Sequence, residues 1–62
     1  MKWINIKDVV PKDHNRILLV YSSGSYHLAS FDKYNKGFKL QNGNFLSNDQ
    51  DSFYWAELTP PA

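Results

Sequence analysis

Apolar and aromatic runs of strand length, separated by polar residues and glycines, predict an all-β chain. Residues 16–21 consist of Arg16 followed by an unbroken apolar run, which predicts a central strand buried on both faces. Residues 22–25 are typical of a tight turn, and residues 26–31 predict the returning strand of a β-hairpin. Helix is poorly supported, because alanine is scarce and Pro11 interrupts the only early stretch that could be helical.

The second half of the chain predicts another hairpin. Residues 32–37 are typical of a turn in which Gly37 takes a positive φ. Residues 38–41 alternate apolar and polar side chains, as a half-buried strand does. Asn42-Gly43 is a strong signal for a two-residue hairpin turn, so we expect a short strand to return immediately after it.

The two ends of the chain predict the remaining elements. Residues 53–58 form a last strand, which the prolines at 60 and 61 end because neither can donate a ladder hydrogen bond. Residues 3–6 add an edge strand or arm, and residues 8–11 form a single turn that pins Val9 or Val10 to the core. The fold class is therefore a small antiparallel meander of four to five strands, and its apolar face is covered either by curling into a barrel-like shape or by a second copy.

Composition limits how such a chain is stabilised. A chain of 62 residues makes one domain, residues 1–62, and buries only about 60% of its unfolded surface. Without cysteine it has neither a disulfide nor a thiolate zinc site, and we expect no metal and no cofactor. Aromatic residues make up 16% of the chain, and these rings can supply the missing core. Four residues are assigned a structural role, namely Leu19, Phe31 and the two tryptophans Trp3 and Trp55, which we expect to pack together and hold the chain ends.

Charge and hydropathy point to few partners. The formal net charge is +1, which is not the strongly basic balance of a typical nucleic-acid-binding protein. The N-terminal residues develop no apolar leader, and the longest apolar run is far shorter than the ~20 residues of a membrane span. The sequence therefore predicts a cytoplasmic protein that does not bind membranes.

The chain also carries a distinctive frame at its two ends. It opens W-I-N-I-K-D-V-V-P-K-D from Trp3 and closes W-A-E-L from Trp55, with Pro60-Pro61 shortly after. This frame resembles a short phage and prophage domain family of unknown function, whose members open W-I-S-V-x-D-x-L-P and close H-W-x-x-L-P-x-P. The resemblance implies a phage protein acting in the host cytoplasm. Tyr54 stands where the family has histidine, so any chemistry of that histidine is missing here.

Binding is better supported than catalysis. His14 and His27 lie in no recognisable nucleophile–base arrangement, and Asp49 and Asp51 lack the spacing of a calcium loop, so we assign no catalytic residue. Tyrosine is enriched at interfaces because it is amphipathic and loses little rotamer freedom. The predicted binding residues are Tyr26, Tyr34, Lys36, Phe38 and Tyr54.

The sequence leaves three functions open. The first is a non-enzymatic protein-interaction module of a phage, which binds a host or phage protein and modulates or inhibits it during host takeover or counter-defence. The second is a single-stranded nucleic-acid binder, because bases stack on aromatic rings while lysines neutralise phosphates. The third is a self-assembling structural protein, for which a homodimer is the simplest form. The nucleic-acid surface would consist of Lys33, Tyr34, Lys36, Phe38 and Lys39.

Overall fold

The computed structural model describes residues 2–58 and confirms an all-β fold, a single antiparallel sheet curled into a half-barrel. Six strands form the sheet in the spatial order β1-β6-β2-β3-β4-β5. Residues 2–58 contain no helix that could span a lipid bilayer. The strands are β1 (Ile4–Asn5), β2 (Ile17–Ser22), β3 (Ser25–Asp32), β4 (Gly37–Leu40), β5 (Phe45–Ser47) and β6 (Tyr54–Glu57).

Strands β2 to β5 form the predicted meander, and β6 departs from it. Instead of pairing with β5, β6 returns across the sheet and pairs with β2, with Val20 opposite Trp55. Strand β1 then adds to the outer side of β6, with Ile4 opposite Trp55. The first and last strands are therefore neighbours at one edge of the sheet.

Turn residues set the β2–β3 and β4–β5 hairpins. Ser23 and Gly24 have φ of 53° and 79°, so a two-residue loop with two positive φ angles joins β2 to β3. The predicted two-residue loop at Asn42-Gly43 is wrong by one residue. Leu40 pairs with Asn44 through a 2.8 Å hydrogen bond, so a three-residue loop joins β4 to β5. Gly43, with φ 96°, supplies its left-handed position.

Gly37 has a different role from the predicted one. The positive φ in the 33–36 turn belongs to Lys36, at 54°, and Gly37 begins β4. A Cβ on Gly37 would collide with the ring of Phe45 and the carbonyl oxygen of Leu46. Glycine is required here because β5 approaches closely, and not because the backbone is left-handed.

One face of the sheet, the core face, carries the hydrophobic core. Phe38 is 0% exposed, and its ring centroid lies 5.1 Å from those of both Phe31 and Phe53. Ile6 and Phe53, from the segments beside β1 and β6, cover the concave side and are joined by a 3.1 Å backbone hydrogen bond. The buried core cluster consists of Ile6, Leu18, Val20, Ala29, Phe31, Phe38, Leu40, Phe53 and Trp55.

The turn that follows β1 is held differently from the prediction. Backbone hydrogen bonds from Asp8 and Val9 to the carbonyl of Asn5 form it. Val9 and Val10 are exposed, so the prediction that one of them is pinned to the core is wrong. The indole N–H of Trp55 instead donates a 2.9 Å hydrogen bond to the carbonyl of Val9, and Pro11 is the buried side chain of the segment.

The opposite face of the sheet, the open face, has no covering layer among residues 2–58. Ile17 is 54% exposed, and Leu19 and Tyr21 are half-buried, whereas Leu18 and Val20 on the core face are fully buried. The prediction that β2 is buried on both faces is therefore wrong. A run of apolar residues does not reveal whether a second layer exists, and this sheet is a single layer.

Candidate functional site

Four aromatic side chains converge on the open face at the end near the Ser23-Gly24 turn. Tyr21 and Tyr26 are cross-strand partners in the β2–β3 hairpin, with ring centroids 4.9 Å apart. Tyr54 lies opposite Tyr21 on β6. The indole of Trp3 packs against the rings of Tyr21 and Tyr26, with ring centroids 6.3 and 5.7 Å apart. These four residues line a slot of about 260 Å³, which we call the aromatic slot.

The prediction that Trp3 packs against Trp55 is wrong. Ile4 faces Trp55 on the core face, and Trp3, one residue earlier, faces the opposite way because side chains alternate along a strand. Trp55 is 4% exposed and belongs to the core, whereas Trp3 is half-buried on the open face. The first and last strands are joined by the β1–β6 pairing and not by an indole pair.

A small residue on β6 makes room for Trp3. Continuing the β1–β6 register by one residue places Trp3 opposite Ala56, which is 0% exposed although it lies on the open face. With only a methyl group at Ala56, the indole can extend across β6 towards Tyr21 and Tyr26. We therefore expect a larger side chain at position 56 to displace Trp3 and change the shape of the aromatic slot.

The aromatic slot continues into a wider apolar surface. Leu28, which lies next to Tyr26 on this face, is 38% exposed, and Leu19 and Ile17 lie beside it on β2. Among strand residues of the open face only Asp32 and Lys39 are charged, and both lie at the end away from the aromatic slot. The surface around the slot is thus apolar, aromatic and uncharged.

The structure separates the predicted binding residues. Tyr26 and Tyr54, 67% and 45% exposed, line the aromatic slot. Tyr34 and Lys36 are exposed in the 33–36 turn at the far end of the sheet. Phe38 is in the core, so its assignment as a binding residue is wrong, because it lies opposite Phe31 on the core face.

Burial of Phe38 also removes the central ring of the predicted nucleic-acid surface. Lys39 lies on the open face, the opposite side of β4 from Phe38, because neighbouring residues of a strand alternate. Lys33, Tyr34 and Lys36 remain exposed in the turn. The exposed members of that surface thus offer one stacking ring.

Neither histidine lines the aromatic slot. His14 accepts a 3.2 Å hydrogen bond at Nδ1 from the backbone N–H of Lys33, and its ring lies 4.6 Å from that of Tyr34. His27 is half-buried on the core face, where its cross-strand partner is Val20 and not an aromatic ring. Residues 2–58 hold no cluster of three or more His, Asp or Glu side chains that could bind a metal.

Hydrogen bonds to the carboxylate of Asp32 stabilise the 33–36 turn. The carboxylate of Asp32 accepts hydrogen bonds from the backbone N–H groups of Tyr34 and Asn35, both at 3.0 Å, and from the side-chain amide of Asn35. These bonds, with that of the Asn35 side chain the strongest, hold the pKa of Asp32 below its ordinary value of 3.8. The ionised carboxylate therefore stabilises the turn.

We expect the 33–36 turn to loosen in acid. A carboxyl group whose pKa is lowered by folding stabilises the folded state at pH values above its ordinary pKa of 3.8. That contribution is lost as the pH falls through the lower pKa of the folded state. Amide chemical shifts of Tyr34 and Asn35, followed by NMR against pH, should titrate below 3.8. In Asp32→Asn, which keeps an acceptor oxygen but cannot ionise, this titration should disappear. A midpoint at or above 3.8 would contradict the assignment.

Leu19, Trp3 and Tyr21 show what reasoning from the sequence missed. Leu19 was assigned a structural role, and it lies half-buried on the open face outside the core. Tyr21 could have been placed beside Tyr26 from the tight turn alone, since a two-residue loop fixes the register. Trp3 could not, because its position depends on β1 pairing with β6 and β6 with β2.

Compared with models of protein families, with curated proteins and with solved structures, the chain matches none. The resemblance of its two ends to a phage domain family therefore stays a prediction.

Proposed function

We propose that this chain is a non-enzymatic protein-interaction module that binds its partner through the open face. The observation that carries the proposal is the aromatic slot and the uncharged apolar surface that continues from it. Exposed contiguous apolar surface commonly marks an interaction site, and tyrosine and tryptophan are enriched in the buried centres of interfaces. Tyr26 is the best single contact residue, since 67% of its surface is exposed at the rim of the slot.

The setting of the proposal comes from the sequence resemblance. It implies a phage protein in the host cytoplasm, which binds a host or phage protein and modulates or inhibits it, as in host takeover or counter-defence. A small sheet with an open face suits such a role, because it can occlude a partner's surface without any catalytic group.

An affinity experiment with matched tyrosine variants tests this function. The wild-type protein, Tyr26→Ser and Tyr34→Ser are immobilised and exposed to lysate of a bacterial host. Tyr34, 78% exposed and outside the slot, is the control because its loss removes a ring of the same kind. We expect a specific protein to be retained by the wild type and by Tyr34→Ser and lost by Tyr26→Ser. Retention of the same proteins by all three chains would contradict binding through the open face.

The other two functions make different predictions. A nucleic-acid binder using Lys33, Tyr34 and Lys36 would bind a single-stranded oligonucleotide with an affinity that falls as salt rises. A self-assembling protein would show a mass in light scattering that increases with concentration. Either result, together with no loss of binding in Tyr26→Ser, would replace the proposed function.

A further inference from the structure

The lining of the aromatic slot limits the chemistry of its ligand, and this inference rests on the proposed function. The slot is lined by one indole and three phenol rings, and no charged side chain takes part. Trp3, Tyr21 and Tyr26 are mutually inclined by 40° to 61°, so they form ridges with a groove between them and not a flat platform. Such a groove fits compact apolar rings better than an extended planar ligand.

The slot also supplies hydrogen-bond donors. The indole N–H of Trp3 and the hydroxyls of Tyr21, Tyr26 and Tyr54 can all donate. Among residues 2–58, the one hydrogen bond from an indole or phenol group is that of Trp55 to Val9, so the four groups of the slot donate to none of these residues. A ligand that offers hydrogen-bond acceptors would satisfy them. A proline-rich backbone offers such acceptors, because each proline keeps its carbonyl.

The size of the open face favours a short segment over a second copy. Its uncharged part covers β6, β2 and β3, three strands at about 4.8 Å each, and about six residues at 3.3 Å, a footprint of about 300 Å². A stable protein–protein interface buries about 800 Å² on each partner. This footprint matches a peptide of a few residues, whereas a stable dimer would also have to cover surface outside the uncharged part of the face.

Lys39 adds a charge at the other end of the same face. It lies on β4 opposite Ser30. Ser30 is four residues along β3 from Tyr26, so these two residues of β3 are about 13 Å apart. The salt bridges among residues 2–58 are those of Arg16 with Asp13 and Glu57, so the ammonium group of Lys39 forms none with these residues. A polyproline II segment rises about 3.1 Å per residue, so four residues span this distance.

We propose that the aromatic slot binds a proline-rich segment of the partner protein in the polyproline II conformation. Pyrrolidine rings pack between the aromatic rings of the slot, and the segment's carbonyls accept hydrogen bonds from the phenol and indole donors. A glutamate or aspartate about four residues from the prolines pairs with Lys39. Proline-rich segments suit such grooves because their conformation is already formed before binding.

A peptide titration followed by NMR tests this proposal directly. The probe is a synthetic peptide with a central run of prolines and a glutamate about four residues to either side, so that either chain direction can reach Lys39. We expect shifts in the amide signals of Tyr21, Tyr26 and Tyr54. Replacing the prolines of the probe by alanine, or using Tyr26→Ser, should weaken binding about tenfold. Tyr34→Ser should change it less than about twofold.

The charge is tested by reversal. Lys39→Glu should weaken binding of the glutamate probe about threefold, and a probe with lysine in place of glutamate should restore it. Since Lys39 is exposed, this variant is expected to fold normally. An alanine probe that binds as well as the proline probe would overturn the proposal, as would shifts confined to residues outside the slot.

Two further outcomes separate this inference from the proposed function. If the proline probe fails while Tyr26→Ser still loses its partner from lysate, the open face binds a partner of another chemistry. The inference is then wrong and the proposed function stands. Sedimentation that shows a dimer abolished by Tyr26→Ser would also overturn the inference, because a second copy would occupy the slot.

Discussion

Truncating Phe38 to alanine is expected to leave most of the protein unfolded at room temperature. Phe38 is 0% exposed, and its ring lies between those of Phe31 and Phe53. Removing a buried phenylalanine ring costs about 3–5 kcal/mol, from lost transfer free energy and from the cavity that remains. A chain of this length has a total stability of about 3–9 kcal/mol, so the loss is comparable to the whole.

Urea denaturation followed by tryptophan fluorescence measures this effect, because Trp55 lies in the same core cluster. Tyr34→Ala is the control, since it removes an aromatic ring that is 78% exposed, and we expect its free energy of unfolding to change by less than about 0.5 kcal/mol. If Phe38→Ala and Tyr34→Ala had similar midpoints, Phe38 would not be in the core. That result would again allow the hypothesis that Phe38 stacks on the bases of a nucleic acid.

Substituting Gly37 by alanine is expected to destabilise the fold by about 1–3 kcal/mol, as overpacking of a core does. The added Cβ meets two neighbours, the ring of Phe45 and the carbonyl oxygen of Leu46. The ring can rotate away, but the carbonyl belongs to the backbone of β5, next to β4. Relief therefore requires a shift of the short strand β5 at the edge of the sheet.

A double-mutant cycle with Phe45→Ala isolates the steric cause. We expect the cost of Gly37→Ala to fall when the ring is absent but to persist in part, because the Leu46 carbonyl remains. Gly43→Ala is the matched control, since its φ is 96° and no atom lies within 4 Å of the added methyl group. Its cost arises from the backbone alone and should be unaffected by Phe45→Ala. Equal behaviour of the two glycines in the cycle would refute the close-approach explanation.

Strand content could be predicted because its causes are local. The run at 16–21 predicted β2, found at Ile17–Ser22, and the residues around Gly24 predicted the turn that follows. These features depend on side-chain alternation and on glycine's access to positive φ, both of which act within a few residues. Gly37 shows the limit of such local causes, because glycine is required there by the close approach of Phe45 and Leu46 and not by its own turn.

The candidate site could be predicted only in part. Tyr26 and Tyr54 were named from the chemistry of tyrosine, and the structure places both in the aromatic slot with two rings that were not named. Phe38 was misassigned because a strand has two faces, and the sequence alone does not show which of them is covered. Tyr34 has the predicted exposure but lies at the far end of the sheet.

The sequence by itself determined that this chain forms strands and, to within about one residue, where its hairpins turn. Only the tertiary structure decided which of its aromatic rings lie outside the core. That division follows from the return of β6 to β2 and the addition of β1, which place Trp55 in the core and Trp3 on the open face. Pairing between residues about 50 positions apart is set by the packing of the whole sheet, so no local pattern specifies it.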